Sequence, residues 1–431
     1  MTRLQSTWAI LLGMALIPAA TAAPSDVAAR GEYLARAGDC IVCHTAPDGQ
    51  PFAGGLKMGT PLGAVYSTNI TPDKETGIGQ YSFEDFARAM RDGVAKDGHR
   101  LYPAMPYPSY AKISDEDMRA LYAFFMSDVA PVRRENARSE IPWPLNMRWV
   151  LGLWDGAFTD GPGFTPNPDH DTAWNRGAYL VEGLGHCGGC HTPRGIFFQE
   201  KALDDRGGAF LSGGELDNWS ASDLRGDPHI GLGSWSEAEI VDFLKSGHNR
   251  HATAFGTMID AVNNSTQYLS DEDLGAIAVY LKSLPGRGER MESAYLYDGA
   301  TTVALRRGDA DEPGAAIYVQ KCAGCHALDG RGRAPFLPPL AGNAVVLDDD
   351  PASLINVVLN GSARIVVAGM PDEYRMPQFR LLLSDQDIAQ VLGFIRRSWG
   401  NEAHLVPADR VRRIRHETEP ASDAVAILKM R

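Results

Sequence analysis

Cys40-Ile-Val-Cys43-His44, Cys187-Gly-Gly-Cys190-His191 and Cys322-Ala-Gly-Cys325-His326 together hold every cysteine of the 431-residue chain. Six cysteines could otherwise form a disulfide framework, and an isolated Cys-x-x-Cys could be half of a zinc site. The histidine directly after each pair points elsewhere. In Cys-x-x-Cys-His, two thiols add across the vinyl groups of a haem and the histidine reaches the iron as proximal ligand. Zinc would need such pairs to converge on one site, whereas these lie far apart along the chain. The expected cofactors are therefore three covalent haems c. Cys40 and Cys43, Cys187 and Cys190, and Cys322 and Cys325 would hold them, with His44, His191 and His326 as axial ligands.

Outward from the motifs the chain reads as three repeats. Each motif follows a helical segment containing a glycine: Arg30-Gly31-Glu-Tyr33-Leu34, Arg176-Gly177-Ala-Tyr179-Leu180 and Pro313-Gly314-Ala-Ala-Ile317-Tyr318. Each repeat closes with a helix capped at Ser114, Ser270 or Ser384, where a serine oxygen and an acidic first turn satisfy free backbone N–H groups. Ten residues after each cap stands an aromatic, Phe124, Tyr280 or Phe394, placed to meet Gly31, Gly177 or Gly314 where the first and last helices cross. The fold expected is all-α, three tandem class I cytochrome c domains. Their spans would be 24–140, 173–284 and 313–400, with linkers over 141–172 and 285–312 and a polar C-terminal tail over 401–431.

A carrier needs a second axial ligand on each iron, and methionine opposite histidine raises the potential. In the first repeat Met105 is preferred over Met58 and Met90, because Tyr102-Pro-Ala-Met105-Pro106-Tyr107 is a proline-stiffened loop just ahead of the closing helix. Met258 is the methionine between His191 and the second closing helix, with His248 and His251 as weaker competitors. Met376-Pro377 is preferred over Met370-Pro371 in the third. The proximal histidines also need a carbonyl partner; Pro338-Pro339-Leu340 is the candidate in the third repeat.

Hydrophobic residues make up 44% and charged residues 22%, which suits a folded chain of several domains. Arg3, the apolar run Trp8 to Ile17 and the small residues Pro18 to Ala23 read as a signal peptide over residues 1–23. That predicts export to the periplasm, since the apolar run is short of the roughly 20 residues of a membrane span. A net charge of −13 argues against nucleic acid as a partner. The basic cluster Arg410 to Arg415 reads as a solvated end or a contact for anionic headgroups. Trp143, Trp149, Val150, Leu151, Leu153 and Trp154 suggest either peripheral membrane association or packing between domains. No nucleophile with a paired base and no phosphate-cradling loop stands out, so no catalytic residue is assigned. The rival is a self-sufficient haem enzyme with an open iron site.

Several strings carry a resemblance. Ser67-Thr-Asn-Ile-Thr-Pro-Asp73, Thr76-Gly-Ile-Gly79, Leu101-Tyr-Pro-Ala-Met-Pro-Tyr-Pro-Ser-Tyr110 and Ile141-Pro-Trp-Pro-Leu-Asn-Met-Arg-Trp149 are specific. So are Gly231-Leu-Gly-Ser-Trp-Ser236, Asn264-Ser-Thr-Gln-Tyr-Leu269 and Trp399-Gly-Asn401. The chain resembles the triheme cytochrome c subunits of bacterial membrane-bound sugar, sugar-acid and alcohol dehydrogenases over nearly its whole mature length. The resemblance implies an electron-transfer subunit attached to the outer face of the cytoplasmic membrane. Its partner would be a catalytic subunit, a GMC-type flavoprotein or a pyrroloquinoline quinone (PQQ)-dependent alcohol dehydrogenase. A small third subunit and ubiquinone or a terminal oxidase as acceptor are also implied. The family's haem ligands fall on His44, His191, His326, Met105, Met258 and Met376.

Overall fold

The computed structural model describes residues 26–159, 161, 163–216, 218–287, 295–421, 428 and 430; the expected signal peptide lies outside them. Around the first motif, α1 (Asp26–Ala37) is followed by an antiparallel hairpin of β1 (Lys57–Thr60) and β2 (Gly63–Tyr66), then α2 (Phe83–Asp92) and α3 (Asp115–Ser127). A short helix α4 (Leu151–Phe158) lies in the connection to the second set. That set has α5 (Thr172–Ala178), the hairpin of β3 (Ser212–Leu216) and β4 (Trp219–Asp223), α6 (Glu237–Ser246), α7 (Met258–Asn264) and α8 (Asp271–Ser283). After α9 (Ala300–Arg307) come α10 (Ala352–Asn360), the two-residue strands β5 (Val366–Val367) and β6 (Met370–Pro371), α11 (Asp385–Ile395) and α12 (Ala408–Glu417).

Local chemistry fixes these helices. Ser114, Ser270 and Ser384 accept from the backbone N–H of Asp117, Asp273 and Asp387 at 3.1–3.2 Å. Ser82 and Asp85 on α2, and Ser236 and Glu239 on α6, make reciprocal capping boxes. The crossing of first and last helices requires glycine. A Cβ on Gly31 would stand 2.0 Å from the Ala120 carbonyl oxygen and 2.7 Å from the Phe124 Cβ; Gly177 meets Ala276 and Tyr280 at the same distances. Gly314 instead has φ +91° and lies against the Gln390 backbone, where a Cβ would come within 2.2 Å of its carbonyl oxygen.

The architecture is mainly helical, but it is not strictly all-α as the sequence suggested. The three hairpins are short and glycine-containing, so they lack the alternating apolar pattern that marks a strand. The segments read as linkers also hold structure, α4 in one and α9 in the other. Within the expected polar tail, α12 buries Val411 and Ile414 completely against the third core. The basic cluster is correspondingly engaged within the chain. Arg415 binds Asp385 at 2.7 Å and the Leu383 carbonyl at 2.9 Å, and Arg410 lies 3.4 Å from Asp350.

The first two sets share one continuous hydrophobic core, running from Leu34, Phe52 and Phe124 into Trp174, Leu184 and Tyr280. A reciprocal exchange fastens them. Asp117, buried at the start of α3, accepts from Arg30 of its own set at 2.6 and 2.8 Å and from the Tyr179 hydroxyl of the second at 2.7 Å. Asp273, at the start of α8, accepts from Arg176 at 2.7 and 2.8 Å and from the Tyr33 hydroxyl of the first at 2.5 Å. Each tyrosine thus reads the other set's helix cap. Tyr179→Phe is expected to lower stability by about 1.5 kcal/mol, the size of a hydrogen bond to a charged acceptor. A shift in the urea midpoint equivalent to less than about 0.5 kcal/mol would remove the exchange from the interface energetics.

The third set has a separate core around Tyr318, Ile355, Ile388 and Trp399 and docks on the second through a small apolar cluster, where Ile365 packs with Ala254, Ile259 and Val262, and through polar contacts. Asn263 donates to the Arg364 carbonyl at 3.0 Å and accepts from Val366 N–H at 2.8 Å. Gln267 donates to the Val366 carbonyl at 2.8 Å and accepts from Ala368 N–H at 3.0 Å. The two side-chain amides therefore satisfy the strand that β5 leaves unpaired on that side.

Candidate functional site

Each Cys-x-x-Cys-His motif forms a single helical turn, Cys40–Cys43, Gly188–His191 and Ala323–His326. In all three, the histidine Nδ1 is committed to a backbone carbonyl: Thr68 at 2.7 Å, Ser222 at 2.7 Å and Pro338 at 3.0 Å. The bond fixes ring orientation and leaves Nε2 available to a metal. Burial lowers the pKa of all three imidazoles, against a smaller upward pull from the carbonyl. They are held neutral, the form that ligates.

Pro338 is the provider that the third repeat suggested. Thr68, just after β2, and Ser222, on β4, were not legible, because any backbone carbonyl can serve and only the hairpins single these two out. Burial also pushes the thiols of Cys40, Cys187 and Cys322 up to about 12. None of the six cysteines is in a disulfide. Among the described residues, no group of three or more His, Cys, Asp or Glu converges on a possible metal ion.

Met258 and His191 border the same space. Met258 opens α7, and it lines one cavity with Cys187, Cys190 and His191. Its rivals are otherwise engaged: His248 binds Asp372 at 2.7 Å, and His251 stacks on Trp235 and faces Glu239 at 3.3 Å. Met105 packs half-buried against the shared core between Ala104 and Pro106, both of which line the same cavity. Met90 is buried within that core. Met58 lies on β1, in the hairpin that leads to the Thr68 carbonyl, and also lines the cavity. In the third set Met376 packs against the core that also includes Cys322, whereas Met370 is 73% exposed.

The cavity measures about 2010 Å³, roughly twice the upper end of the usual 300–1,000 Å³ for a small-molecule site. Val42, Leu180, Leu232, Phe243 and Leu281 give it apolar walls, and Cys43, Cys187, Cys190 and His191 face it. A large apolar ring held by thiols and a neutral imidazole suits this lining.

Paired cysteines on one helical turn, followed by a carbonyl-held neutral histidine in a mainly helical frame, define a c-type cytochrome, a protein that passes single electrons through haem iron. The cytochrome c family pattern matches residues 28–127 and 312–399. The gluconate 2-dehydrogenase cytochrome c subunit of Pantoea cypripedii is 54% identical over 87% of this chain and 86% of its own. The cytochrome c subunit of alcohol dehydrogenase (quinone) from Gluconacetobacter polyoxogenes is 50% identical over 97% and 90%. The fructose dehydrogenase cytochrome subunit of Gluconobacter japonicus is 38% identical over 92% and 84%. The chain belongs to the family of cytochrome c subunits of bacterial membrane-bound dehydrogenases, with covalently bound haem c as its cofactor.

Proposed function

We propose that this chain binds three haems c and relays electrons from a catalytic dehydrogenase subunit to ubiquinone or a terminal oxidase. Each bound haem supplies an iron that alternates between ferric and ferrous states. The six cysteines anchor the rings, His44, His191 and His326 supply one axial ligand each, and Met105, Met258 and Met376 supply the other and close the site to small molecules. The observation carrying this reading is the threefold recurrence of one construction: a one-turn motif, a histidine held by a carbonyl, and a capped closing helix. The corresponding haem domains span 24–140, 173–284 and 313–400.

The test is haem per chain by the pyridine haemochrome assay, expected at three, and falling by one third in the Cys322→Ala, Cys325→Ala variant. A value of two in the unaltered chain, or stoichiometric carbon monoxide binding by the ferrous native protein, would overturn the relay of three closed haems and favour an open iron.

The relatives' names support a catalytic dehydrogenase partner; that partner would be a GMC-type flavoprotein, with a PQQ-dependent alcohol dehydrogenase as the alternative and a small third subunit completing the complex. The complex would sit in the periplasm on the outer face of the cytoplasmic membrane. No helix of the described residues is long and apolar enough to cross a membrane. Peripheral attachment has a candidate surface, where Trp143, Trp149 and Leu153 are 77%, 66% and 70% exposed. Trp154 joins this surface to exposed Phe197 by donating to its carbonyl at 2.9 Å. Exposed tryptophans beside aliphatic side chains suit the headgroup boundary. Replacing Trp143, Trp149 and Leu153 with alanine is expected to move the complex from the membrane fraction to the soluble one at low salt; unchanged sedimentation would rule this surface out.

A further inference from the structure

We propose that the haems carried by Cys40/Cys43 and Cys187/Cys190 form one electronically coupled pair, from which the haem carried by Cys322/Cys325 stands apart. The inference rests on the three-haem reading above and concerns how the protein arranges the attachment points. Three observations place the first two together.

The first is the core. Residues around both motifs belong to one hydrophobic cluster, including Cys40 and Cys187 themselves, while Cys322 belongs to another. The second is the cavity. Cys43, Cys187, Cys190 and His191 line the same continuous space, and none of Cys322, Cys325 and His326 lines it.

The third is rigidity at the junction. Tyr110 donates to the Gly38 carbonyl at 3.2 Å, just before the first motif, and its ring packs edge-on at 5.6 Å against His186, just before the second. A Cβ on Gly38 would meet Leu184 at 3.3 Å. The Tyr33–Asp273 and Tyr179–Asp117 bonds fix the same two units in register. The third unit borders the cavity with Pro339, Ala341 and Val345 but places none of its motif residues there, and it docks through Asn263, Gln267 and the packing of Ile365 on Ile259 and Val262.

Two like chromophores fixed close together mix their excited states, and reducing one makes reducing the other harder. Circular dichroism of the intact ferric chain in the Soret region is therefore expected to show a couplet of two lobes of opposite sign. The Cys322→Ala, Cys325→Ala variant is expected to keep the couplet, and Cys187→Ala, Cys190→Ala to reduce it at least tenfold while retaining two haems per chain. A potentiometric titration of the unaltered chain makes the test independent of variant folding: the couplet should follow two thirds of the Soret absorbance change and ignore the remainder.

A single-signed band, or a couplet that tracks all three haems or survives loss of the second, overturns the pairing. A haem count below three would instead defeat the relay reading, so the two failures are distinguishable.

Discussion

Replacing Met258 with alanine is expected to lower the midpoint potential of one haem by on the order of 0.1 V, a fraction of the roughly 0.8 V that axial ligation commands, and to open that iron to carbon monoxide. The thioether is a soft acceptor that favours ferrous iron, and the two histidine competitors are engaged with other side chains. His248 is held by Asp372, and His251 lies between Trp235 and Glu239. The substitution should leave the fold intact, because α7 is anchored by Ile259 and Val262, which are 1% and 0% exposed, rather than by Met258. Spectroelectrochemical titration should show one component displaced by that amount, a smaller response in the haem coupled to it and the third unmoved. Met376→Ala should act likewise on another component, and Met370→Ala should not. An unchanged titration for Met258→Ala, with no carbon monoxide adduct, would remove it from the iron.

The second large effect is on stability. Lys112 and Glu182 form an ion pair at 2.8 Å across the junction of the first two sets, with side chains only 9% and 6% exposed. Lys112 also donates to the Leu203 carbonyl at 2.8 Å, and the Tyr280 hydroxyl donates to Glu182 at 2.5 Å. Glu182→Ala leaves a buried ammonium and a buried hydroxyl short of their acceptor, a loss of about 3–5 kcal/mol. Burial raises the Glu182 carboxyl above the usual range despite the opposing pull of Lys112 and Tyr280. Its contribution is therefore full below the unfolded pKa and declines as the pH rises through the folded one. The pair at neutral pH is thus costly to break rather than strongly stabilising in itself. Glu182→Ala combined with Lys112→Met should recover most of the loss, and a denaturant series comparing single and double variants reads this directly. A single-variant loss under about 1 kcal/mol would contradict it.

What the sequence made legible was local. Serine caps, the motif turns and the Gly31 and Gly177 crossings depend on residues a few positions apart or on one steric requirement, and the pattern exposes both. The proximal carbonyls of Thr68 and Ser222 depend on hairpins with too few apolar residues to show a strand period. The basic stretch 410–415 looks solvated when read alone; Asp385 and the Leu383 carbonyl, which engage Arg415, come from the preceding helix and its approach. Tyr33 and Tyr179 stood in plain view as repeated letters, yet helical spacing could not tell that each reaches the other repeat. The Gln267 contacts explain part of a string that was recognisable only by likeness: its amide, with that of the neighbouring Asn263, helps hold the third unit.

The Tyr–Asp exchange also limits how many units such a chain can join in this way. Each unit in the pair needs an arginine and a tyrosine on its first helix and a free carboxylate at its last helix. Where Arg30 and Tyr33 stand in the first unit, the third has Pro313 and Ala316, and its Asp387 carboxylate turns back to its own Ser384 cap. The two complementary halves consume each other's valences, leaving no half-bond for another copy to propagate. Growth by duplication in this architecture therefore stops at two along that face, and any additional unit must invent its own junction.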